Sequence, residues 1–137
     1  MIQLPEIFER DIQGQTTNLV PLVVINNSTY LSTSKITLEN QNYDPLVKSL
    51  GNIKESIDFK DKKFQISSVA INLLNYNYNN EYLSDRLFKN EIMNKEVDIY
   101  YKSQSAQTLD DCLNVFSGYI KGIEENINIL KIDIEDN

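Results

Sequence analysis

The sequence predicts a mainly β protein: a small antiparallel β-barrel or sandwich of roughly six to eight strands, with a short N-terminal helix and one short internal helix. Three observations carry this. Apolar residues alternate or form short β-branched runs, as in Leu22-Val23-Val24-Ile25 and Val97/Ile99/Tyr101. Asn-, Ser- and Asp-bearing turn signals punctuate those runs. Helical spacing is confined to two short segments. The length, 137 residues, is that of one ordinary domain, divided into a helical segment over 1–18 and a β-barrel domain over 19–137.

The first segment reads as a helix because Leu4, Ile7, Phe8 and Ile12 recur at helical spacing. Pro5 suits its first turn and Gly14 its end. A helix this short is marginal alone, so its apolar stripe must dock. It covers either the chain's own core or a neighbouring subunit, which makes Leu4, Ile7, Phe8 and Ile12 candidate interface residues.

Residues 19–25 form a strand that stops at Asn26-Asn27. Pro21 places its first part at an edge or at its beginning. Further strands are expected at 28–32 and 35–38, with a turn at 39–42. Residues 53–59 alternate. Phe64 and Ile66 share one parity while Val69, Ile71 and Leu73 share the other, so a bulge at Ser67-Ser68 would turn all of them inward. Residues 75–82 (NYNYNNEY) read as a loop, 83–88 as a helical turn, 93–95 as a turn, 96–102 as a strand and 103–107 as a polar loop. Two strands, 113–123 and 127–134, are expected to join at Glu124-Glu125-Asn126. Gly118 and Gly122 mark bends or close backbone approach within the first of them.

Composition excludes much chemistry. There is no histidine, which removes His-based acid–base catalysis, Ser-His-Asp and Cys-His nucleophiles and most zinc or copper sites. The one cysteine, Cys112, permits no intrachain disulfide. Asp110 and Asp111 beside it would raise its thiol pKa, so it reads as a small core residue. The acidic groups Asp110-Asp111, Glu124-Glu125 and Asp133/Glu135/Asp136 fall in expected turns or at the chain end, where solvated charge is normal. The four glycines are scattered and form no phosphate-binding loop. The expectation is a non-enzyme with no catalytic residues, cofactor or metal.

The net charge of −7 is repelled by nucleic-acid phosphates. The longest apolar run, Leu22 to Ile25, is far too short to span a membrane, and the N-terminus has no signal-peptide pattern. The 17 asparagines are read as an AT-rich genome's composition. The Asn/Tyr loop admits a second reading. Tyr76, Tyr78, Asn79, Asn80 and Tyr82 combine contact area with adaptable hydrogen bonding, the chemistry of a recognition loop; the other reading is a loop filled by codon bias.

The runs Ile53-Lys54-Glu55-Ser56-Ile57-Asp58-Phe59, Lys63-Phe64-Gln65-Ile66-Ser67-Ser68-Val69 and Ile71-Asn72-Leu73, with Asn94-Lys95-Glu96-Val97-Asp98-Ile99-Tyr100, Val115-Phe116-Ser117-Gly118 and Leu130-Lys131-Ile132-Asp133-Ile134-Glu135-Asp136, form one set. Over 19–137 the chain resembles the tail hub, or baseplate hub, family of tailed bacteriophages. The resemblance implies a virion structural protein. Its β-barrel would ring the tail axis and join the tail tube to the spike or fibre machinery. The implied partners are tail tube, spike and baseplate wedge or fibre proteins, and further copies in a trimer or hexamer. DNA would pass through the lumen without specific binding. The protein would reside in the virion tail, assembled in the bacterial host cytoplasm. Hub proteins usually run beyond the acidic pair whereas this chain stops at Asn137, which implies a split or reduced hub. The alternative function is a carbohydrate-binding β-sandwich that uses Tyr76, Tyr78 and Tyr82 as stacking platforms.

Overall fold

The strand Val20–Ile25 (β1) is an unbroken apolar run because both of its faces are covered. Val23 and Ile25 point into the main core, while Leu22 and Val24 point into a smaller cluster with Leu38, Tyr43, Ala106 and Cys112. A strand buried on both sides loses the polar alternation of a half-exposed one. The computed structural model describes residues 4–13, 19–51, 57–58, 63–64, 68–87 and 91–136. Its elements are α1 (Glu6–Ile12), β1 (Val20–Ile25), β2 (Thr29–Ser32), β3 (Ile36–Leu38), β4 (Gln41–Tyr43), β5 (Val47–Ser49), β6 (Ile57–Asp58), β7 (Lys63–Phe64), β8 (Ser68–Leu74), β9 (Asn77–Tyr78), β10 (Glu81–Tyr82), α2 (Leu83–Leu87), β11 (Glu96–Lys102), a 3-10 turn (Leu109–Asp111), β12 (Leu113–Asn126) and β13 (Ile129–Glu135).

Seven of these strands form one antiparallel sheet in the order β2-β1-β11-β12-β13-β8-β5. One short segment draws its edges together. Asp44 donates its N–H to the Tyr30 carbonyl at 3.0 Å and accepts from the Ser32 N–H at 2.8 Å, so it bridges to edge strand β2 opposite Leu31. Two residues later the Leu46 carbonyl accepts from the Leu74 N–H at 2.7 Å, and β5 pairs with β8. Pro45, between them, has no N–H to leave unpaired at the crossing. The result is a nearly closed barrel, as the sequence predicts. Ile71, Leu73, Ile99, Ile120 and Leu130 fill it, with Leu4 and Phe8 of the N-terminal segment and Leu83 and Leu87 of α2 packed in the same core. Pro21 sits at the start of β1, before the register with β2 begins.

α1 is pinned by Asp11, whose Oδ2 accepts from the Ser105 N–H at 2.8 Å. The Ser103 hydroxyl is the main influence holding the Asp11 carboxyl below its usual range, although it falls short of full hydrogen-bond geometry. Ser105 adds to the effect and burial opposes it. Gly14, the expected helix stop, lies outside the described residues.

Two expectations about strands change. The slip at Ser67-Ser68 cannot be placed, because Ile66, Ser67 and the Phe64 side chain lie outside the described residues; Val69, Ile71 and Leu73 do share the buried face of β8. Of 53–59, the described part is β6, which pairs with β7. Bulges occur elsewhere. Phe116 pairs with Ile99 and Asn114 with Tyr100, which leaves Val115 extra. Ile120 pairs with Ile134 and Gly122 with Asp133, which leaves Lys121 extra. The first of these lets both Val115 and Phe116 face the core. The last hairpin turns at Ile127-Asn128 and not at 124–126, since Glu124 stays paired with Lys131 and Asn126 with Ile129.

Asparagine also has a backbone role, which composition does not show. Among the described residues, the non-glycine residues at positive φ are Asn26, Asn27, Glu39, Asn40, Asn79, Asn80, Asn94 and Asn128, with φ between 52 and 66°. Asn is the side chain that best tolerates this left-handed region. The pairs 39–40 and 79–80 make the two-residue hairpin turns whose twist matches that of the strands, and 26–27 open the three-residue β1–β2 loop that Ser28 completes. The turn expected at 39–42 therefore shortens to Glu39-Asn40. Glu39, the exception, uses its carboxylate to accept from the Leu109 N–H, which ties the β3–β4 hairpin to the 3-10 turn.

Candidate interaction groove

The segment read as an Asn/Tyr loop is the β9–β10 hairpin, turning at Asn79-Asn80. Strands of two residues carry no periodicity, so the sequence could not reveal them. β8 ends next to Asn75, whose N–H donates to the Asn128 carbonyl at 2.9 Å. The Asn75 Oδ1 accepts from the Ser84 N–H at 3.0 Å, at the start of α2. One side chain thus joins the β12–β13 turn to α2. Arg86 also holds α2, donating to Asp44 Oδ2 at 2.9 Å and pairing with Glu81 Oε1 at 3.5 Å.

Between these elements lies an open groove of about 810 Å³. Tyr82, Ser84 and Asp85 contribute to it from the hairpin and α2. Glu125, Asn126, Ile127 and Asn128 contribute from the other hairpin, and Asn75 lines it between them. Ile127 is 90% exposed at the turn.

Of the residues singled out in the sequence, Tyr82 is in the groove and 45% exposed. Tyr76 is exposed outside the groove lining, and Tyr78 is half-buried against the main core. Asn79 and Asn80 form the exposed turn. The residues from 125–128 were missed because they lie far away in sequence; the only local signal was an aliphatic residue, Ile127, beside a turn. Leu4 and Phe8 are buried in the chain's own core, which leaves Ile7 and Ile12, both half-buried, as the part of the stripe a neighbour could reach.

The remaining candidates are structural. Asp111 Oδ2 accepts from the N–H groups of Gln107 at 3.1 Å and Thr108 at 3.2 Å and caps the 3-10 turn. Cys112 is buried, as expected, and burial pushes its thiol up to about 11, with Asp111 and Glu39 adding and Lys102 opposing. Burial likewise raises the neighbouring Tyr43 phenol to about 12. Among the described residues, no group of three or more His, Cys, Asp or Glu side chains could hold a metal ion, and no helix is long and apolar enough to cross a membrane.

No family model matches the chain, and no curated protein matches it in sequence. A solved structure does match: a chain from the virion of a native gene transfer agent particle, with a TM-score of 0.58 and 9% identity. The barrel is a fold found in a virion. The match covers 96% of this chain and 44% of that one, so the whole described barrel corresponds to less than half of its neighbour.

Proposed function

We propose that the chain is a structural component of a phage-like tail, part of the hub or baseplate ring that joins the tail tube to the spike or fibre machinery. The observation that carries this reading is the fold shared with the gene transfer agent virion chain across 96% of this chain. The hub-family resemblance of 19–137 points the same way. The role needs packing surfaces and no reaction, so we assign it no catalytic chemistry and no cofactor. Self-association into a trimer or hexamer would use the half-buried Ile7 and Ile12 together with exposed strand edges, and tail proteins would supply the other contacts. The net charge of −7 suits a channel wall. Such a surface repels DNA within a Debye length of about 8 Å at physiological salt and leaves it mobile. The protein would reside in the virion.

Light scattering on size-separated protein across a concentration series tests this, paired with antibody labelling of intact particles in the electron microscope. A discrete trimer or hexamer, with label at one end of a tail, is the expected result. A monomer at every concentration, with no label on particles, overturns the reading.

A further inference from the structure

We propose that the groove between α2 and the β12–β13 turn docks a basic, amphipathic peptide segment of another protein. This deepens the assembly reading by giving the chemistry of a partner segment, and rests on it only for that partner belonging to the tail.

The starting point is a pair of exposed apolar side chains. Among the described residues four large hydrophobic side chains are exposed, and two of them, Tyr82 and Ile127, line this one groove although they are far apart in the chain. Single exposed apolar residues are normal on a surface, but a pair gathered in one concavity offers area that a partner can cover. The turn does not call for Ile127. Its neighbour Asn128 takes the positive φ, and turn chemistry favours Gly, Asn, Asp or Ser at such a tip.

The groove is held in shape before anything binds. Asn75 joins its two walls, with its N–H donating to the Asn128 carbonyl at 2.9 Å and its Oδ1 accepting from the Ser84 N–H at 3.0 Å. Little ordering is left for a partner to impose, which lowers the cost of docking. The groove also lies at the end of β12 away from α1. Asp11 ties α1 to Ser105, beyond the end of β11 that pairs with Leu113, whereas the groove takes in Asn126, the last residue of β12. Docking there does not compete with Ile7 and Ile12.

Charge chooses the occupant. Asp85 and Glu125 line the groove and are exposed, and among the described residues neither makes an ion pair and no Lys or Arg shares the lining. Arg86, next to Asp85 in the chain, is occupied by Asp44 and Glu81. Two uncompensated carboxylates attract cationic groups and repel anionic ones. That disfavours acidic segments and nucleic acid, and also a second copy of this chain, whose net charge is −7. A neutral sugar could stack on Tyr82 but draws nothing from the negative charge. A segment with Lys or Arg beside Leu, Ile or Phe meets both features at once, cation to carboxylate and apolar group to Tyr82 and Ile127, while its backbone can hydrogen-bond the Asn126 amide.

The test is fluorescence anisotropy on the full chain. The probes are labelled short peptides that combine Lys or Arg with Leu, Ile or Phe at varied spacing. Beside them stand the same peptides with Glu in place of the basic residues, and labelled neutral oligosaccharides of glucose and N-acetylglucosamine. Members of the basic amphipathic series are expected to bind at about 1–100 μM. Raising the salt from about 0.05 to about 0.5 M should weaken them several-fold. Ile127→Asp should weaken binding by about tenfold with an unchanged thermal midpoint, because that side chain is 90% exposed. The double change Asp85→Lys/Glu125→Lys should move the preference to the Glu-bearing peptides. Tyr76→Ala, outside the groove, should leave binding as it was. Light scattering on the same samples keeps the two readings apart: a ring that forms but binds no basic peptide overturns this inference alone, and a monomer that binds them overturns the assembly reading alone. Silence from every basic amphipathic peptide, equal binding of the acidic series, tighter binding of the oligosaccharides, or binding that survives Ile127→Asp overturns the proposal.

Discussion

Arg86 donates to the Asp44 carboxylate at 2.9 Å, and Asp44 is the residue whose backbone bridges to β2 where the barrel closes. The same guanidinium also reaches Glu81 at 3.5 Å. The groove wall and the closing segment therefore share one tether. Both partners are half-buried, so their charge-assisted bond is partly shielded from water. Arg86→Met should cost about 1–2 kcal/mol, below the range for a fully buried pair. Urea unfolding of Arg86→Met, Asp44→Asn and the double variant measures the coupling. Additive effects would show that the two side chains do not act together.

Phe8 offers a sharper contrast. It is fully buried in the main core, while Ile7, on the same short helix, is half-buried. Phe8→Ala should cost about 3–5 kcal/mol, as for other aromatic truncations in cores. Ile7→Asp should cost less folding stability and act mainly on self-association. Comparing thermal midpoints with oligomer dissociation separates the two effects. A Phe8→Ala protein with an unchanged midpoint would mean that the N-terminal helix does not hold the barrel.

The sequence was most informative where one residue's neighbours in the chain decide its structure. β1, β2 and β11 were legible because alternation or a β-branched run met a turn of asparagines. The identity of the turn residues carried more than composition: Asn26, Asn27, Asn79 and Asn80 do what glycine does elsewhere, in a chain with only 4 glycines. The barrel's closure was not legible. It depends on backbone bonds of Asp44 and Leu46, which impose no side-chain pattern. The groove was half legible. Tyr82 stands out by chemistry, but Asn75 joins it only through the fold, where the Ser84 N–H donates to its Oδ1.

The outer cluster sets an alkaline limit. In the folded state Cys112 titrates at about 11 against an ordinary 9.0, and Tyr43 at about 12 against 10.0, both mainly through burial. Both groups are neutral when protonated. Above pH 9.0 the unfolded thiol loses its proton while the folded one keeps it, so deprotonation favours unfolding. Stability should be level below that pH, fall between 9.0 and about 11 through Cys112, and fall further from 10.0 to about 12 through Tyr43. Cys112→Ala should flatten the first part of the fall and reduce the second, because the Cys112 thiolate is, after burial, the next cause that raises Tyr43. Urea midpoints on either side of pH 9.0 measure this. An unchanged profile in Cys112→Ala would assign the loss to other groups.

Gly118 and Gly122 lie on the same strand yet should respond differently to a methyl group. A Cβ on Gly118 would lie 2.5 Å from the Glu135 carbonyl oxygen and 2.8 Å from Phe116 Cε2. The first neighbour is backbone at the end of β13, and the second is a core ring, so neither can yield without disturbing the sheet. Gly118→Ala should therefore cost about 1–3 kcal/mol, the usual range for overpacking. A Cβ on Gly122 would first meet the Asp133 carboxylate at 3.3 Å, an exposed side chain that can turn aside. Gly122→Ala should stay within about 0.5 kcal/mol of the parent, the usual spread for a site with no buried contact. The pair tests whether the glycines were needed for space or for bending. If close approach decides, the two variants differ in urea midpoint; if both positions only relieve bending at the Lys121 bulge, both lose stability alike.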